Sequence, residues 1–166
     1  MINYEVDSDG IATITWDMPG RSMNVLSNAS TEAFSNAIDK AIGNDNVKGV
    51  IVTSGKDSFI AGADLEMILD MTQGSKDPKV IMEGVQVMQN MMRRMEESDK
   101  PFAAAINGTA LGGGYEICLG CNYRVASDNP RAQIGLPESK VGLLPGGGGT
   151  QRLPRLIGVA ESLPII

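Results

Sequence analysis

Short apolar runs alternate with helical patterns along most of the chain, and this alternation most limits the folds open to it. Val50-Ile51-Val52 and residues 101–106 are apolar runs of strand length, and a segment with helical character follows each of them. Continuous apolar runs are typical of strands buried on both faces. The alternation predicts an α/β fold in which helices pack against a sheet. With 166 residues, the chain is long enough for one domain over 1–166.

The local patterns also predict where individual elements lie. Alternating residues on both sides of Asp7-Ser8-Asp9-Gly10 predict a β-hairpin. Helical spacing predicts helices over 26–42, from residue 65 onwards, over 80–95 and over 150–157, and apolar runs predict strands over 47–53, 101–106, 123–126 and 133–135. The helix over 80–95 carries a stripe that includes Met88, Met92 and Met95. We expect this stripe to pack in the core, because methionine commonly fills gaps there.

The composition excludes several classes of function. A net charge of −6 and a pI near 4.6, without a basic stripe or interleaved aromatic residues, argue against nucleic acid as a partner. The chain has no histidine, which excludes Ser/His and Cys/His nucleophilic systems and histidine-ligated metals. Cys118-Leu119-Gly120-Cys121 has no further cysteine or histidine with which to complete a zinc site. We therefore expect buried thiols and no metal site.

The two ends of the chain bear on its location and completeness. The start, Met1-Ile2-Asn3-Tyr4-Glu5-Val6-Asp7, is strand-like and acidic rather than typical of a signal peptide. The sequence contains no apolar run that approaches the ~20 residues of a membrane helix. These features predict a cytoplasmic protein without a membrane span. The apolar end, Leu163-Pro164-Ile165-Ile166, is unusual for a terminus and predicts that the chain is a fragment of a longer one.

A glycine cluster, Gly112-Gly113-Gly114, precedes a predicted helix and allows a backbone to approach a ligand closely. The first N–H groups of a helix point outward without an intrahelical acceptor, and the helix dipole adds partial positive charge there. The N–H of Gly113 is therefore placed to donate to a carbonyl oxygen. A second loop of small residues, Ala61-Gly62-Ala63-Asp64, can supply another donor. The two donors together would form an oxyanion hole.

Two acids accompany these loops. Glu116 lies one helical turn after Gly113, and Glu138 follows Pro137, whose fixed φ orients a turn. Two carboxylates from separate loops can divide the roles of acid and base. The same residues also fit a flexible glycine turn with a helix-capping glutamate, so the residues alone leave both interpretations open. The glycines at 146–149 match no nucleotide-binding loop.

Several motifs together resemble the crotonase (enoyl-CoA hydratase/isomerase) superfamily. The matching segments, in the expected order, are residues 59–65, 100–108, 110–116, 134–138 and 146–153. Residues 19–26 resemble the hydratase part of the multifunctional fatty-acid oxidation enzymes, which fuse a hydratase to a 3-hydroxyacyl-CoA dehydrogenase. Members of the family continue well past the equivalent of Gly158, so the resemblance implies a crotonase-like spiral of ββα turns that is truncated at its C-terminus.

The resemblance implies an enzyme that binds acyl-CoA thioesters, with coenzyme A as part of the substrate and no separate cofactor. The N–H groups of Ala63 and Gly113 would hold the thioester oxygen. Glu116 and Glu138 would then add water to a 2-enoyl-CoA in fatty-acid β-oxidation. The alternatives are a Δ3,Δ2-isomerase, which an acid at Asp64 favours, another reaction of the crotonase family, and a non-catalytic acyl-CoA-binding module.

The resemblance also implies contacts with the rest of the substrate and with partners. The substrate-binding positions would be Ser22, Met23, Ala61, Asp64 and Leu65. Arg21 and Lys56 are the cations that we expect near the phosphates of coenzyme A. The full-length protein would form a homotrimer or a complex with a thiolase subunit.

Overall fold

A mixed five-stranded sheet forms the frame of the computed structural model, which describes residues 1–74 and 77–166. The strands formed by these residues are β1 (Ile2–Val6), β2 (Ile11–Trp16), β3 (Gly49–Ser54), β4 (Phe102–Ile106), β5 (Ala110–Leu111), β6 (Tyr123–Ala126) and β7 (Ile134–Gly135). The frame has the order β1-β2-β3-β4-β6, in which β1 and β2 are antiparallel and the other pairs are parallel. The predicted α/β class and the predicted hairpin are confirmed.

Six α-helices are formed by the described residues. They are α1 (Asn28–Ile42), α2 (Leu65–Gln73), α3 (Pro78–Glu97), α4 (Gly113–Gly120), α5 (Gly149–Ile157) and α6 (Val159–Ser162). A 3₁₀ helix spans Pro137–Val141. The strand β5, the 3₁₀ helix and α6 were not predicted, because each is too short to show a periodic pattern. Within the described part of the chain, no helix combines the length and apolar character needed to cross a membrane.

Local side-chain contacts explain where α1 begins and ends. Ser27 and Ser30 form a reciprocal capping box, in which each hydroxyl accepts from the backbone N–H of the other residue. At the C-terminal end, the Lys100 ammonium donates to the carbonyl oxygens of Ala41, Ile42 and Asn44 at 2.6–2.8 Å. A cation is favourable there because the last carbonyls lack intrahelical donors and carry partial negative charge. The helix thus ends at Gly43, as predicted.

The main core lies between the sheet and the helices. Alternate residues of β2 are buried, and Trp16 packs against Phe34 of α1 with ring centroids 5.1 Å apart. Met92 and Met95 of α3 are also fully buried, which confirms the predicted packing for the C-terminal half of that stripe. Met88 is partly buried and packs against this core, as predicted, and it also lines a cavity. Cys118 and Cys121 are buried free thiols, as predicted.

A second, smaller sheet determines where the loops of the molecule meet. β5 pairs in parallel with β7, and Ile60 forms a parallel bridge with the first residue of β5. Three parallel segments therefore lie side by side. Their C-terminal ends lead within a few residues to Ala63, Gly113 and Glu138 respectively. Because parallel segments end at the same side of a sheet, these residues are brought together.

The fully buried side-chain amide of Asn24 connects the large sheet to Phe59, the residue before Ile60. Its oxygen accepts from Met18 N–H at 2.9 Å, and its nitrogen donates to Trp16 O and Ser54 Oγ, both at 2.8 Å, and to Phe59 O at 3.2 Å. Replacing Asn24 is expected to be destabilising, because it would leave the buried polar partners of its amide without hydrogen bonds.

We expect Asn24→Ala to lower the free energy of unfolding by about 3 kcal/mol, because it leaves several buried polar groups unpaired. Urea unfolding measures this change. Asn36→Ala is the matched control, since Asn36 is exposed on α1, and it should change stability by less than about 0.5 kcal/mol. Equal effects of the two substitutions would contradict the role given to Asn24.

Candidate active site

One cavity brings together residues from three motifs that are separated in the sequence. It has a volume of about 580 Å³, which is within the usual range for a small-molecule site. Ala63, Gly113, Glu116 and Glu138 all line it, and most of the remaining lining is apolar. The apolar lining suits an acyl chain, and the four residues at one side supply amides and carboxylates.

The backbone at Ala63 is turned so that its amide faces away from the strand-like segment that supports it. Leu26 forms a parallel β-bridge with Ala63. The bonds of this bridge run from Leu26 N–H to Gly62 O at 2.8 Å and from Asp64 N–H to Leu26 O at 2.7 Å. Because the two flanking residues make these bonds, the N–H of Ala63 points to the opposite side. It has no acceptor among the hydrogen bonds of the described residues.

The Gly113 amide is left free by a different arrangement, the start of α4. Gly112 adopts φ +54° and donates its own N–H to Gly135 O at 2.9 Å. Gly113 is the first helical residue, so its N–H has no intrahelical acceptor, and the described residues provide no other. A Cβ at Gly113 would overlap the side chain of Leu26. Glycine at this position therefore allows the amide to remain at the cavity wall.

The Glu116 carboxylate is buried in a cradle of backbone amides. Its side chain projects from the first turn of α4 and the residue is 2% exposed. Gly147 N–H donates to Oε2 at 3.0 Å, and Gly149 N–H donates to Oε1 at 2.8 Å. Each carboxylate oxygen thus has a donor, which fixes the orientation of the group.

The cradle is a functional feature that the sequence analysis did not find. Residues 146–149 were predicted as a loop before a helix and were rejected as a nucleotide-binding loop. The available signal was that these glycines directly precede α5, as Gly112 precedes α4. Adjacent amides before a helix favour a negative charge, and here that charge is the Glu116 carboxylate rather than a ligand.

Glu138 lies in the first turn of the 3₁₀ helix, with its carboxylate against the backbone of Gly112. A Cβ built at Gly112 would be 3.1 Å from Oε1 of Glu138. The other oxygen, Oε2, is buried and has no hydrogen-bond partner within the described part of the chain. Since Glu138 lines the cavity, this oxygen is available to a ligand or to a proton.

The surroundings shift the titration of both carboxyl groups in the same direction. Burial raises the pKa of Glu116, and the amides of Gly149 and Gly147 and the charge of Arg152 oppose that rise. Burial also raises the pKa of Glu138, and the negative charge of Glu116 raises it further. The two acids therefore hold protons more readily than an exposed glutamate, which suits proton transfer near neutral pH.

Ser22, Met23, Ala61 and Asp64, four of the other predicted substrate-binding positions, are not among the described residues that line the cavity. Asp64 is buried and begins α2, where it accepts from Glu66 N–H at 2.9 Å and pairs with Arg21 at 2.6 Å. Ala61 is half-buried and its N–H donates to Asn24 O. Ser22 and Met23 are exposed, and the side chain of Leu65 lies outside the described part of the structure.

The two cations expected near phosphates are both engaged in ion pairs. Arg21 pairs with Asp64, and Lys56 Nζ lies 2.8 Å from a carboxylate oxygen of Asp17. The Lys56 ammonium lowers the pKa of Asp17. Arg21 remains about half exposed, so it is the more accessible of the two cations.

Comparison with known proteins places this site in a family. The model of the family described as "Enoyl-CoA hydratase/isomerase" matches residues 7–165. The chain belongs to the enoyl-CoA hydratase/isomerase family. This result confirms the resemblance that the motifs indicated.

Relatives of known name agree with this assignment to the enoyl-CoA hydratase/isomerase family. The fatty acid oxidation complex subunit alpha of Idiomarina loihiensis is 47% identical over 163 residues, which is 98% of this chain and 22% of that protein. The subunit of the same name from Acinetobacter baylyi is likewise 47% identical over 163 residues, with the same coverage. The chain thus spans about a fifth of the length of these relatives.

A solved structure confirms the predicted crotonase-like fold. Enoyl-CoA hydratase from Bacillus anthracis superposes with a TM-score of 0.85 and 34% identity. The match covers 99% of this chain and 61% of the other. The α/β arrangement described above is therefore the arrangement of this enzyme family.

We expect Gly147→Ala to lower the free energy of unfolding by about 1–3 kcal/mol, because the new methyl group would overlap the Glu116 carboxylate and Met92. Thermal or urea unfolding measures the loss. Gly146→Ala is the matched control, since a Cβ at Gly146 has its nearest neighbour, a methyl group of Val85, at 3.8 Å. If the two variants were equally stable, the cradle would not be as closely packed as described.

Proposed function

We propose that the chain forms the active site of an enoyl-CoA hydratase, which adds water to the double bond of a 2-enoyl-CoA. One observation carries this proposal. The buried carboxylate of Glu116 and the half-buried carboxylate of Glu138 line the same cavity as two backbone N–H groups that have no acceptor within the described residues. This combination supplies both requirements of the reaction, which are stabilisation of an anion and transfer of protons.

The two amides act on the thioester carbonyl. When water attacks C3, negative charge moves through C2 onto the thioester oxygen and forms an enolate. Ala63 N–H and Gly113 N–H would both donate to this oxygen, and a donor of this kind typically contributes about 3–4 kcal/mol to the transition state. Because both donors belong to backbone supported by hydrogen bonds, they are oriented before the substrate arrives.

The two carboxyl groups divide the proton transfers. Glu116, fixed as an acceptor by the amides of Gly147 and Gly149, takes a proton from the attacking water, whose oxygen forms the bond to C3. Glu138, with its unpartnered Oε2, delivers a proton to C2. The product gains one hydroxyl group and one hydrogen atom, which together are one water molecule. A proton passing from Glu116 to Glu138 restores the starting state.

The named relatives support a place in fatty-acid oxidation. They are alpha subunits of fatty acid oxidation complexes, and the solved neighbour is an enoyl-CoA hydratase. We propose that this chain acts on fatty acyl-CoA thioesters in the cytoplasm, with coenzyme A as part of the substrate and no separate cofactor. We also propose assembly of the full-length protein as a homotrimer or with a thiolase subunit.

A Δ3,Δ2-enoyl-CoA isomerase is the second candidate. The observation that favours it is the buried acid Asp64, which directly follows the proposed donor Ala63. Its two oxygens are engaged by Glu66 N–H and Arg21, so it would act on a proton only after release from Arg21. Product analysis with a 3-enoyl-CoA substrate separates the isomerase from the hydratase. Tight acyl-CoA binding without turnover would instead favour a non-catalytic binding module.

We expect Glu116→Gln and Glu138→Gln in the full-length protein each to lower kcat for crotonyl-CoA hydration by about 10²–10⁴-fold, because each removes one proton-transfer group. Absorbance of the enoyl thioester follows the reaction. Glu97→Gln is the control, since Glu97 lies on the outer face of α3 and pairs with Arg93. Near-parent rates in both active-site variants would contradict the mechanism.

We also expect the acid limb of the kcat/KM profile to lie above pH ~4.3, the ordinary pKa of a glutamate. The reason is that burial raises the pKa of Glu116, so the base becomes protonated, and the rate falls, at a higher pH than for an exposed carboxyl. Hydration rates measured from pH 4 upwards at constant ionic strength test this. An acid limb at or below the ordinary value would show that a less buried group is the base.

A further inference from the structure

An ion pair lies behind the amide cradle and is not used by the reaction as described. Arg152 of α5 meets Glu96 of α3 as a fork, with Nε 2.6 Å from Oε1 and Nη2 2.9 Å from Oε2. The remaining terminal nitrogen, Nη1, donates to Gly147 O at 2.8 Å. One guanidinium group thus joins two helices to the residue whose N–H holds Glu116.

We propose that Arg152 is a positioning residue, which Glu96 holds in place so that the Gly147 backbone presents its amide to Glu116. This inference rests on the proposed role of Glu116 as the base. Arg152 does not line the cavity of the reaction, so it acts through Gly147 rather than on the substrate.

The composition of the loop explains why it needs such a support. Four consecutive glycines, at 146–149, have more backbone freedom than any other residues, and this freedom opposes a fixed arrangement of amides. Side chains from outside hold two of their carbonyl groups. Gln89 donates to Gly146 O at 2.7 Å, and Arg152 donates to Gly147 O. Because the planar guanidinium of Arg152 is held at two points by Glu96, it fixes the orientation of the Gly147 carbonyl better than a single flexible donor would.

The charge of Arg152 also acts on Glu116. Arg152 opposes the rise that burial causes in the pKa of Glu116, and it thus favours the ionised base. Glu138 of the 3₁₀ helix is the other charged group coupled to Glu116, since the negative charge of Glu116 raises the pKa of Glu138. Glu96 is itself held ionised, because Arg152 lowers its pKa. The pair therefore remains intact over the pH range in which Glu116 titrates.

The test compares Arg152→Met, Arg152→Lys and Glu96→Gln in the full-length protein, with Arg155→Met as the matched control. Arg155 lies on the same helix and its guanidinium contacts Gln151 of that helix. Two measurements are made on each folded variant. One is the pH dependence of kcat and KM for crotonyl-CoA hydration. The other is the titration of Glu116, observed as the carboxyl infrared band that Glu116→Gln removes.

We expect Arg152→Met to lower kcat by about tenfold or more with KM within about twofold, since the base is misplaced but the substrate contacts remain. The Glu116 titration should move to higher pH, because a positive charge has been removed. Arg152→Lys keeps the charge but not the fork, so the titration should stay near the parent value while kcat falls. A double variant, Glu96→Gln with Arg152→Met, should lower kcat no more than Arg152→Met alone, because both substitutions remove the same interaction.

The inference is overturned if the titration of Glu116 is unchanged in Arg152→Met, or if Arg155→Met lowers kcat equally. If the Arg152–Glu96 pair only joined α3 to α5, its removal would lower thermal stability but would change neither the kinetic constants nor the titration of Glu116. The infrared titration does not require turnover, so it distinguishes the two proposals. If the parent does not hydrate enoyl-CoA, the proposed function fails, and the titration still decides whether Arg152 acts on Glu116.

Discussion

Two hydrogen bonds from backbone amides to the Glu116 carboxylate hold the site together. A carboxylate that is 2% exposed would be strongly disfavoured without donors, and Gly147 and Gly149 supply one donor to each oxygen. The same bonds join α4 to the start of α5. The position of Glu116 and the packing of α4 against α5 therefore depend on each other. Neither helix can shift without leaving the buried Glu116 carboxylate unpaired.

The side of the cavity that we propose binds the thioester oxygen depends on backbone geometry in the same way. Ala63 presents its amide because a parallel bridge engages its neighbours, and Gly113 presents its amide because a helix begins there. Both amides follow the C-terminal ends of parallel segments, since Ala63 follows the Ile60 bridge and Gly113 follows β5. In the proposed mechanism, backbone dipoles that the fold holds in place stabilise the enolate, and no charged side chain is needed at the thioester oxygen.

The sequence predicted the longer elements and four residues that line the cavity, Ala63, Gly113, Glu116 and Glu138, because both depend on local patterns. Each of these patterns lies within a short stretch of sequence. Examples are the helical period of α1, the hairpin turn, and the glycine–glutamate spacing within 110–116. The role of residues 146–149 was not predictable, since their partner Glu116 lies about thirty positions away and no local pattern reports such a contact. The additional contact of Met88 with the cavity was not predictable for a related reason. A methionine stripe has the same spacing whether it faces a core or a cavity.

The central claim is that the amides of Ala63 and Gly113 bind one oxygen, the carbonyl oxygen of an acyl-CoA thioester. A crystal structure of the full-length protein with an unreactive acyl-CoA analogue tests it most directly. We predict that the thioester oxygen lies about 2.7–3.2 Å from both amide nitrogens, with C2 and C3 of the acyl group between Glu116 and Glu138. A thioester oxygen that contacts neither amide would contradict this account of the site.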